Sequence, residues 1–304
     1  MEESLLFAFD DYANMASSLI AGSNLCEGKF QPKHFSNGEQ HITLEANVSG
    51  HACFVLGSIA PPDSNLLSFL LLCHTLKKEG ASSVTAILPY LAYSRHEKNE
   101  AQNSRATAFV AGLFATVGIN KIVTFDIHSQ TANQLFSMPI MSLSPVSVFV
   151  EKMKTMGMKQ SVLVAPDEGA IERCQDLATA AGIGGSIVYM VKQRTEEGVL
   201  HTELHGAVKQ HAIIIDDMLD TGGTLISCCQ ALLDAGVQSI DIMVTHGLFT
   251  GKNWMQLWGL GVRTIYCSNT IPLTDIKRHP QIEVLSVTSS LKDAIRVFDK
   301  PGPV

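Results

Sequence analysis

The stretch that decides the fold covers residues 213–225 and reads IIIDDMLDTGGTL. Three consecutive isoleucines are typical of a strand that is buried on both faces, as strands are in a parallel sheet. The Thr-Gly-Gly-Thr segment predicts a tight turn, and the next residues, LISCCQALLDAG, are typical of a helix. A buried strand, a short loop and a helix in this order predict an α/β fold.

The same alternation of strand and helix continues along the chain. Helix-length segments separate the apolar runs, and the clearest covers residues 65–80 and ends with two lysines and a glycine, as helix C-termini prefer. Candidate strands begin at Cys53, Ser83, Lys121, Ser161, Gly185, His211, Ser239 and Val262. Near-continuous apolar strands that alternate with helices predict mainly parallel sheets flanked by helices.

Chain length and an internal repeat predict two domains. The chain has 304 residues, and one domain usually has about 150. HACFVLGSIAPPDSNL from His51 and HAIIIDDMLDTGGTL from His211 share the order strand, loop, helix, glycine and strand. Any α/β unit shows this order, so duplication and chance similarity both stay open. The segment SLSPVSV suits a boundary, and we predict domains over residues 1–144 and 145–304.

Composition argues against several classes of protein. The net charge is -7 and no run of lysine and arginine occurs, which argues against nucleic-acid binding. No apolar run reaches the roughly 18 residues of a membrane span, and the N-terminal MEESLLFAFDDY is acidic where a signal peptide is basic. Seven cysteines without CxxC spacing argue against disulfides and zinc. We therefore expect a reduced cytoplasmic protein that binds neither nucleic acid nor membranes.

The residues after the isoleucines combine carboxylates with a phosphate-binding turn. Asp216 and Asp217 come at the carboxyl end of the predicted strand, where ligands bind in open α/β sheets. Residues 221–224 offer backbone N–H groups, hydroxyls and a helix N-terminus to a phosphate. A helix cap alone would also use this turn. Neighbouring carboxylates repel each other, however, so capping explains them poorly, and a sugar phosphate explains both halves.

This loop resembles the binding loop for phosphoribosyl pyrophosphate of phosphoribosyltransferases and ribose-phosphate pyrophosphokinases. The remaining motifs resemble the second family, in the same order and over nearly the whole chain. They are FSNGE (35–39), PYLAYSR (89–95), FDIH (125–128), APDEGA (165–170), VKQR (191–194), HGLFTG (246–251) and SNTIP (268–272). Together these motifs are highly specific, although any one of them alone is not.

The resemblance implies an α/β fold of two similar phosphoribosyltransferase-type domains, each with a mainly parallel sheet flanked by helices. The first domain would serve the nucleotide and the second would carry the ribose 5-phosphate loop. The implied reaction transfers the β,γ-pyrophosphoryl group of ATP to the anomeric hydroxyl of ribose 5-phosphate, with Mg²⁺ as cofactor, and gives 5-phosphoribosyl 1-pyrophosphate and AMP. The implied ribose 5-phosphate ligands are Asp216, Asp217, Asp220, Thr221, Gly222, Gly223 and Thr224.

The resemblance also implies the ATP site. Phe35, Asn37 and Glu39 would form the adenine pocket from a neighbouring subunit, while Arg95 and His96 would approach the nucleotide from their own. An aromatic ring, an amide and a carboxylate suit adenine, although Ser-Asn-Gly is also ordinary turn sequence. A shared pocket requires at least a dimer, and the resemblance implies a hexamer.

Catalytic and metal-binding residues follow in two motifs. Lys192 and Arg194 by themselves are typical of a solvated hairpin or loop; the resemblance implies catalytic cations on a mobile flap, where they would stabilise developing phosphate charge. Asp126 and His128 alternate on a strand end and suit Mg²⁺ and a nucleotide phosphate. A strand-end histidine is more often simply hydrogen-bonded. The resemblance implies that His128 contacts the metal-bound triphosphate and that Asp167 holds the ribose or its metal.

Two other functions stay open on the sequence. A phosphoribosyltransferase would use the same loop, but those enzymes are usually shorter, single-domain chains without FSNGE and FDIH. An inactive regulatory partner of the synthetase would be expected to lose the metal and flap residues. Asp126, His128, Lys192 and Arg194 are all present, which favours an active enzyme.

Overall fold

The computed structural model describes residues 3–94, 105–127, 133–157, 161–194, 200–273 and 279–298. The chain forms two compact units. The first contains the chain up to Leu143 together with the C-terminal helix from Thr288, and the second runs from Ser144 to Val287. Among the residues described, no helix is both long enough and apolar enough to cross a membrane.

The first unit is built on a six-stranded parallel sheet with the order β2-β1-β5-β6-β7-β8. A separate antiparallel hairpin, β3-β4, lies between β2 and β5 in the chain. The elements are β1 (Ser4–Ala8), α1 (Ala13–Ile20), β2 (Leu25–Gly28), β3 (Phe30–His34), β4 (Gln40–Leu44), β5 (Ala52–Leu56), α2 (Ser64–Lys78), β6 (Ser83–Ile87), α3 (Ala106–Val117), β7 (Lys121–Phe125) and β8 (Ile140–Leu143).

The second unit contains a seven-stranded sheet with the order β11-β10-β9-β12-β13-β14-β15. Only β11 runs antiparallel to its neighbour, β10. The elements are α4 (Val146–Met156), β9 (Ser161–Ala165), α5 (Ile171–Ala181), β10 (Val188–Arg194), β11 (Leu200–His205), β12 (His211–Leu219), α6 (Gly223–Asp234), β13 (Ser239–Gly247), β14 (Val262–Ser268) and β15 (Ile282–Leu285). The last helix, α7 (Thr288–Phe298), belongs to the first unit.

The isoleucine run of β12 is buried on both faces of its sheet, as the sequence predicts. Ile213 and Ile215 pack into a cluster with residues of α4 and α5, whereas Ile214 packs into the opposite cluster with residues of α6. Each such burial contributes about 1.5–3 kcal/mol of hydrophobic stabilisation. Because both faces hold the strand, the position of the acidic residues that follow it is fixed by the core.

The two sheets share one topology. Without β11, the order β10-β9-β12-β13-β14-β15 repeats the order β2-β1-β5-β6-β7-β8 element by element along the chain. The two halves of the proposed internal repeat, β5-α2-β6 and β12-α6-β13, occupy equivalent places in these sheets. The prediction of an α/β fold with two similar, mainly parallel sheets flanked by helices is confirmed.

The C-terminal helix α7 differs from the predicted domain division. The predicted second domain, residues 145–304, would include α7, whereas the structure groups it with the first unit. Leu291 and Ile295 of α7 are buried, and Lys292 Nζ donates a hydrogen bond to the carbonyl of Ala21, just after α1. The apolar face of α7, which packs on the first unit, therefore assigns this helix to that unit. The main boundary, between Leu143 and Ser144, lies one residue from the predicted position.

Candidate active site

The acidic loop, which we define as residues 216–224, comprises the end of β12, the turn after it and the first residues of α6. Strand β12 continues to Leu219 because Met218 and Leu219 still pair with β13, so the strand ends two residues later than Asp217. Asp216 and Asp217 are nevertheless among the few buried carboxylates, with 8% and 6% of their surface exposed. Only three residues then separate the strand from Gly223, the first residue of α6.

The buried carboxylates repel each other electrostatically. Burial first, and then the negative charges of Asp217 and Asp167, raise the pKa of Asp216 well above its ordinary value of 3.8. The N–H of Asp217 donates to Asp216 Oδ1 at 2.9 Å, which offsets only part of this effect. A ligand that brings positive charge or hydroxyl donors to this place would relieve the repulsion.

Asp167 lies at the end of β9, the strand next to β12. Its side chain accepts a hydrogen bond from the N–H of Ala170 at 3.2 Å and so caps the short 3-10 helix Glu168–Ala170. The negative charge of Asp167 contributes, after burial and Asp217, to the raised pKa of Asp216 on the neighbouring strand. Ligands bind at the carboxyl ends of strands in open α/β sheets, and a ligand at this place stays a prediction.

The turn of the acidic loop requires glycine at position 222. Gly222 has φ +88°, and a Cβ there would lie 2.8 Å from the Cα of Trp254. Gly222 precedes the 12-residue helix α6, and its carbonyl accepts from the N–H of Ile226 at 2.8 Å. Thr221 and Gly223 are exposed and Thr224 is half-buried. The helix N-terminus and these residues together can bind a phosphate.

The predicted adenine residues form the tip of the β3-β4 hairpin, which we call the hairpin tip (residues 35–39). The N–H of Phe35 donates to the carbonyl of Glu39 at 2.8 Å, and the N–H of Glu39 donates to Asn37 Oδ1 at 3.1 Å. Phe35 is 55% exposed, and its ring stacks on His41 with a centroid distance of 4.7 Å. An exposed aromatic ring beside an amide and a carboxylate can receive a flat heterocycle.

Asp126 follows β7 and has an unusual backbone. Its φ is +39°, a region that side-chain-bearing residues rarely adopt. The N–H of Asp126 donates to the carbonyl of Leu143 at 2.9 Å, which holds this conformation at the end of β8. Strained residues of this kind concentrate at functional sites.

Five predicted residues have side chains outside the part of the chain that the structure describes. Arg95, His96 and His128 lie outside the described residues. Lys192 and Arg194 lie on β10, which pairs with β11 as an antiparallel hairpin, with Lys192 opposite Thr202. Their side chains are not described. The hairpin that the VKQR motif suggests by itself is thus observed, whereas catalytic roles for these residues stay predictions.

Divalent-cation binding is compatible with this set of residues. Among the described residues, no three His, Cys, Asp or Glu side chains come together as a metal-binding group. Mg²⁺ does not need such a group, because it usually keeps several waters and binds one or two carboxylates together with substrate phosphates. The mutually repelling carboxylates of Asp216 and Asp167 provide hard oxygen atoms of the kind that Mg²⁺ prefers.

Sequence reasoning missed the contacts that support the acidic loop from the segment after β13. The N–H of Thr250 donates to the carbonyl of Asp220 at 3.1 Å, and Asn253 Nδ2 donates to the carbonyl of Thr221 at 3.2 Å. The only signal was indirect: the HGLFTG motif follows the strand that pairs with β12. Neighbouring parallel strands bring the loops at their carboxyl ends together.

Comparisons with known proteins identify similar sequences for both parts of the chain. Residues 4–118 match the N-terminal domain of ribose phosphate pyrophosphokinase, and residues 147–253 match the phosphoribosyl transferase domain. The ribose-phosphate pyrophosphokinase of Campylobacter jejuni is 30% identical over 87% of this chain and 85% of its own length. That of Mycoplasma pneumoniae is 28% identical over 97% and 92%.

A solved structure supports the same conclusion. The crystal structure of phosphoribosylpyrophosphate synthetase from Mycobacterium smegmatis superposes with a TM-score of 0.88 at 28% identity, and the match covers 97% of this chain and 99% of that one. The curated relatives and this structure both match over most of the chain. The chain belongs to the ribose-phosphate pyrophosphokinase family.

Proposed function

We propose that the protein transfers the β,γ-pyrophosphoryl group of ATP to the anomeric hydroxyl of ribose 5-phosphate and releases 5-phosphoribosyl 1-pyrophosphate and AMP. The observation that carries this proposal is the acidic loop. It combines the buried carboxylates of Asp216 and Asp217 with the N-terminus of α6, reached through the left-handed Gly222. The relatives named ribose-phosphate pyrophosphokinase support the same reaction class.

The acidic loop suits both ends of ribose 5-phosphate. The carboxylates accept hydrogen bonds from the ribose hydroxyls, and these bonds are strong because the acceptors are charged. The backbone N–H groups and hydroxyls of residues 221–224 bind the 5-phosphate, where the helix dipole favours negative charge. Asp220 joins these two halves of the loop. One substrate with a phosphate and vicinal hydroxyls thus uses every polar part of the loop.

ATP would be bound by the hairpin tip and by the predicted basic residues. Phe35 would stack on adenine, with Asn37 and Glu39 hydrogen-bonded to its edge, and the exposed ring of Phe35 supports a role toward a second molecule. In this proposal the hairpin tip serves the active site of a neighbouring copy. Arg95 and His96 would contact the nucleotide of their own chain. The protein would therefore act at least as a dimer, and a hexamer is the proposed assembly.

Mg²⁺ is the proposed cofactor. Asp126 and His128 would hold it on the triphosphate side, and Asp167 would hold a cation on the ribose side. When bound, the cation neutralises phosphate charge and polarises the phosphoryl oxygens. The left-handed backbone of Asp126 and the raised pKa of Asp216 beside Asp167 support these assignments.

The chain's own residues position the reactants. Asp216 and Asp217 orient the ribose so that its anomeric oxygen attacks the β-phosphorus in line with the bond to the α-phosphate. That bond breaks, AMP leaves, and the proton of the attacking hydroxyl passes to solvent. The negative charge of the transition state is stabilised by Lys192, Arg194 and His128. Such electrostatic stabilisation is one of the main contributions of a protein to phosphoryl transfer.

The test is to incubate the protein with ribose 5-phosphate, ATP and MgCl₂ and to separate the products by chromatography. We expect AMP and a pyrophosphorylated sugar in equal amounts, and neither product when ribose 5-phosphate is omitted or EDTA is added. ADP as the product would mean transfer of a single phosphoryl group and would contradict the proposal. Unchanged ATP would favour a phosphoribosyltransferase or an inactive partner.

A further inference from the structure

We propose that Asn253 and Trp254 are positioning residues that set the backbone of the acidic loop for ribose 5-phosphate, an inference that rests on the function proposed above. Both lie in the segment that follows β13, and both contact the loop through its main chain. Neither is assigned to the substrate itself. They act through Thr221 and Gly222, whose N–H groups belong to the phosphate-binding turn.

Trp254 forms a rigid wall behind Gly222. Its side chain is 4% exposed, its ring packs edge-on against Phe249 with a centroid distance of 4.9 Å, and its Nε1 donates to the carbonyl of Gly251 at 3.2 Å. These contacts hold the Cα of Trp254 in place, 2.8 Å from where a Cβ of residue 222 would be. This wall fixes how far the loop can move toward the core.

Asn253 fixes the direction of one peptide group. Its Nδ2 donates to the carbonyl of Thr221 at 3.2 Å, and its Oδ1 accepts from Gln256 Nε2 at 2.5 Å, so both ends of the amide are used. The peptide group is planar and trans, so a carbonyl that points toward Asn253 makes the N–H of Gly222 point the opposite way. The amide of Asn253 thus orients a donor of the phosphate-binding turn.

Three successive residues of the loop are held in this manner. The carbonyl of Asp220 accepts from the N–H of Thr250 at 3.1 Å, the carbonyl of Thr221 accepts from Asn253, and Gly222 packs against Trp254. All three contacts use the loop's main chain, so they set its shape without engaging the side chains proposed to bind substrate. Pre-organising a loop in its bound shape raises affinity because less order must be gained on binding.

The experiment compares wild type with Asn253→Ala, Asn253→Asp and Gln281→Ala. Gln281 is the matched control, because its Nε2 also donates to a backbone carbonyl, that of Arg263, at 3.1 Å in the same unit. We measure the Kd of ribose 5-phosphate by calorimetry without ATP, KM and kcat in the AMP assay, and the melting temperature. Asn253 is exposed, so all variants are expected to fold.

We expect Asn253→Ala to raise the Kd and KM for ribose 5-phosphate about fivefold, because that is the usual effect of losing one hydrogen bond. Its kcat and its KM for ATP should stay within about twofold of wild type, since the loop is otherwise intact. Asn253→Asp should raise the Kd further, because its carboxylate cannot donate to the carbonyl and repels the phosphate. Gln281→Ala should leave every one of these values unchanged.

Trp254→Phe provides a second variant. It keeps an aromatic ring but removes the Nε1 donor to Gly251, and we expect it to weaken ribose 5-phosphate binding more than ATP binding. Equal Kd values for wild type and Asn253→Ala, or a fall in kcat as large as the rise in KM, would overturn the inference. Binding of ribose 5-phosphate without AMP formation would overturn the proposed function instead, and the Kd values would still decide the role of Asn253. No binding by wild type would overturn both.

Discussion

The loop after β5 and the loop after β12 occupy equivalent places in sheets of one topology, yet their polar groups are used differently. In the first, Asn65 Nδ2 donates to the carbonyl of Ala60 at 2.9 Å, and Asp63 Oδ1 accepts from the hydroxyl of Tyr93 at 2.5 Å. In the second, Asp216 is buried beside other carboxylates, which raise its pKa. The first loop hydrogen-bonds within its own unit, whereas the second concentrates negative charge, which we propose serves a ligand. A shared fold therefore does not imply a shared site.

The largest expected effect comes from the β10-β11 hairpin, whose strand β11 has no counterpart among the described strands of the first sheet. Lys192→Ala should lower kcat roughly 100- to 1000-fold, as expected when a donor to the transition-state charge is removed. The KM values for ATP and ribose 5-phosphate should change far less. Steady-state kinetics in the AMP assay measure both quantities.

Lys209→Ala is the matched control for the Lys192 variant. Lys209 lies in the same unit and donates to the carbonyl of Ser161 at 2.9 Å, away from the acidic loop. Its kcat should stay within about twofold of wild type. An unchanged kcat in Lys192→Ala would remove Lys192 from the catalytic role.

The second prediction makes the same chemical change in both loops. Asp216→Asn should lower kcat/KM for ribose 5-phosphate roughly 10- to 100-fold, because that is the usual effect of losing a hydrogen bond to a charged group. Asp63→Asn in the first loop keeps an acceptor oxygen for Tyr93 and should change kcat/KM less than about threefold. Equal losses in the two variants would break the distinction between the loops.

Asp216→Asn should also stabilise the ligand-free protein. The folded-state pKa of Asp216 is raised, so its protonated form favours folding fully below the ordinary pKa of 3.8, and this contribution is lost as pH rises toward the folded-state value. At pH 7.5 the variant should therefore gain about 1 kcal/mol in the free energy of unfolding. The gain should disappear near pH 3.8 in denaturant titrations. A constant or opposite difference would contradict the electrostatic account.

The final prediction separates two contributions to the cost of replacing a glycine. Gly222 and Gly236 have similar φ values, +88° and +93°, but only at Gly222 does a new Cβ meet another atom within 4 Å. Gly236→Ala should cost about 1–2 kcal/mol for the backbone conformation alone. Gly222→Ala should cost roughly 1–3 kcal/mol more because its methyl group meets Trp254. Chemical denaturation gives both values, and equal costs would mean that the loop is not held against Trp254.

Local sequence predicted the central, apolar strands of the two sheets better than the remaining strands. Six predicted strands start at the observed residues: Ser83, Lys121, Ser161, His211, Ser239 and Val262. These strands are apolar and central, so burial alone identifies them. The candidate strands did not include β1, β2, β3, β4, β8, β11 and β15. Most of these have only four or five residues, and β3 is largely exposed and contains Pro32, so pairing partners rather than composition make them strands.

The acidic loop was predictable because its chemistry is contiguous in the chain, whereas its support was not. Asn253 and Thr221 lie 32 residues apart, and they meet only because β13 pairs with β12 in parallel. The left-handed conformation of Gly222 suits the Gly-Gly turn, but the wall that Trp254 provides depends on packing between separate elements. Spacing along the chain carries no sign of either contact.

Helix α7 gives the protein an unusual order of assembly during synthesis. The first unit contains residues up to Leu143 but takes its last helix from residues 288–298. The buried face of α7 and the hydrogen bond from Lys292 to the carbonyl of Ala21 hold this helix on the unit. A ribosome must therefore synthesise the chain as far as this helix before the first unit can be finished. The second unit, from Ser144 to Val287, is continuous and can be finished earlier. Domains usually fold in their order of synthesis; here the later half of the chain is the first that can reach its complete native form.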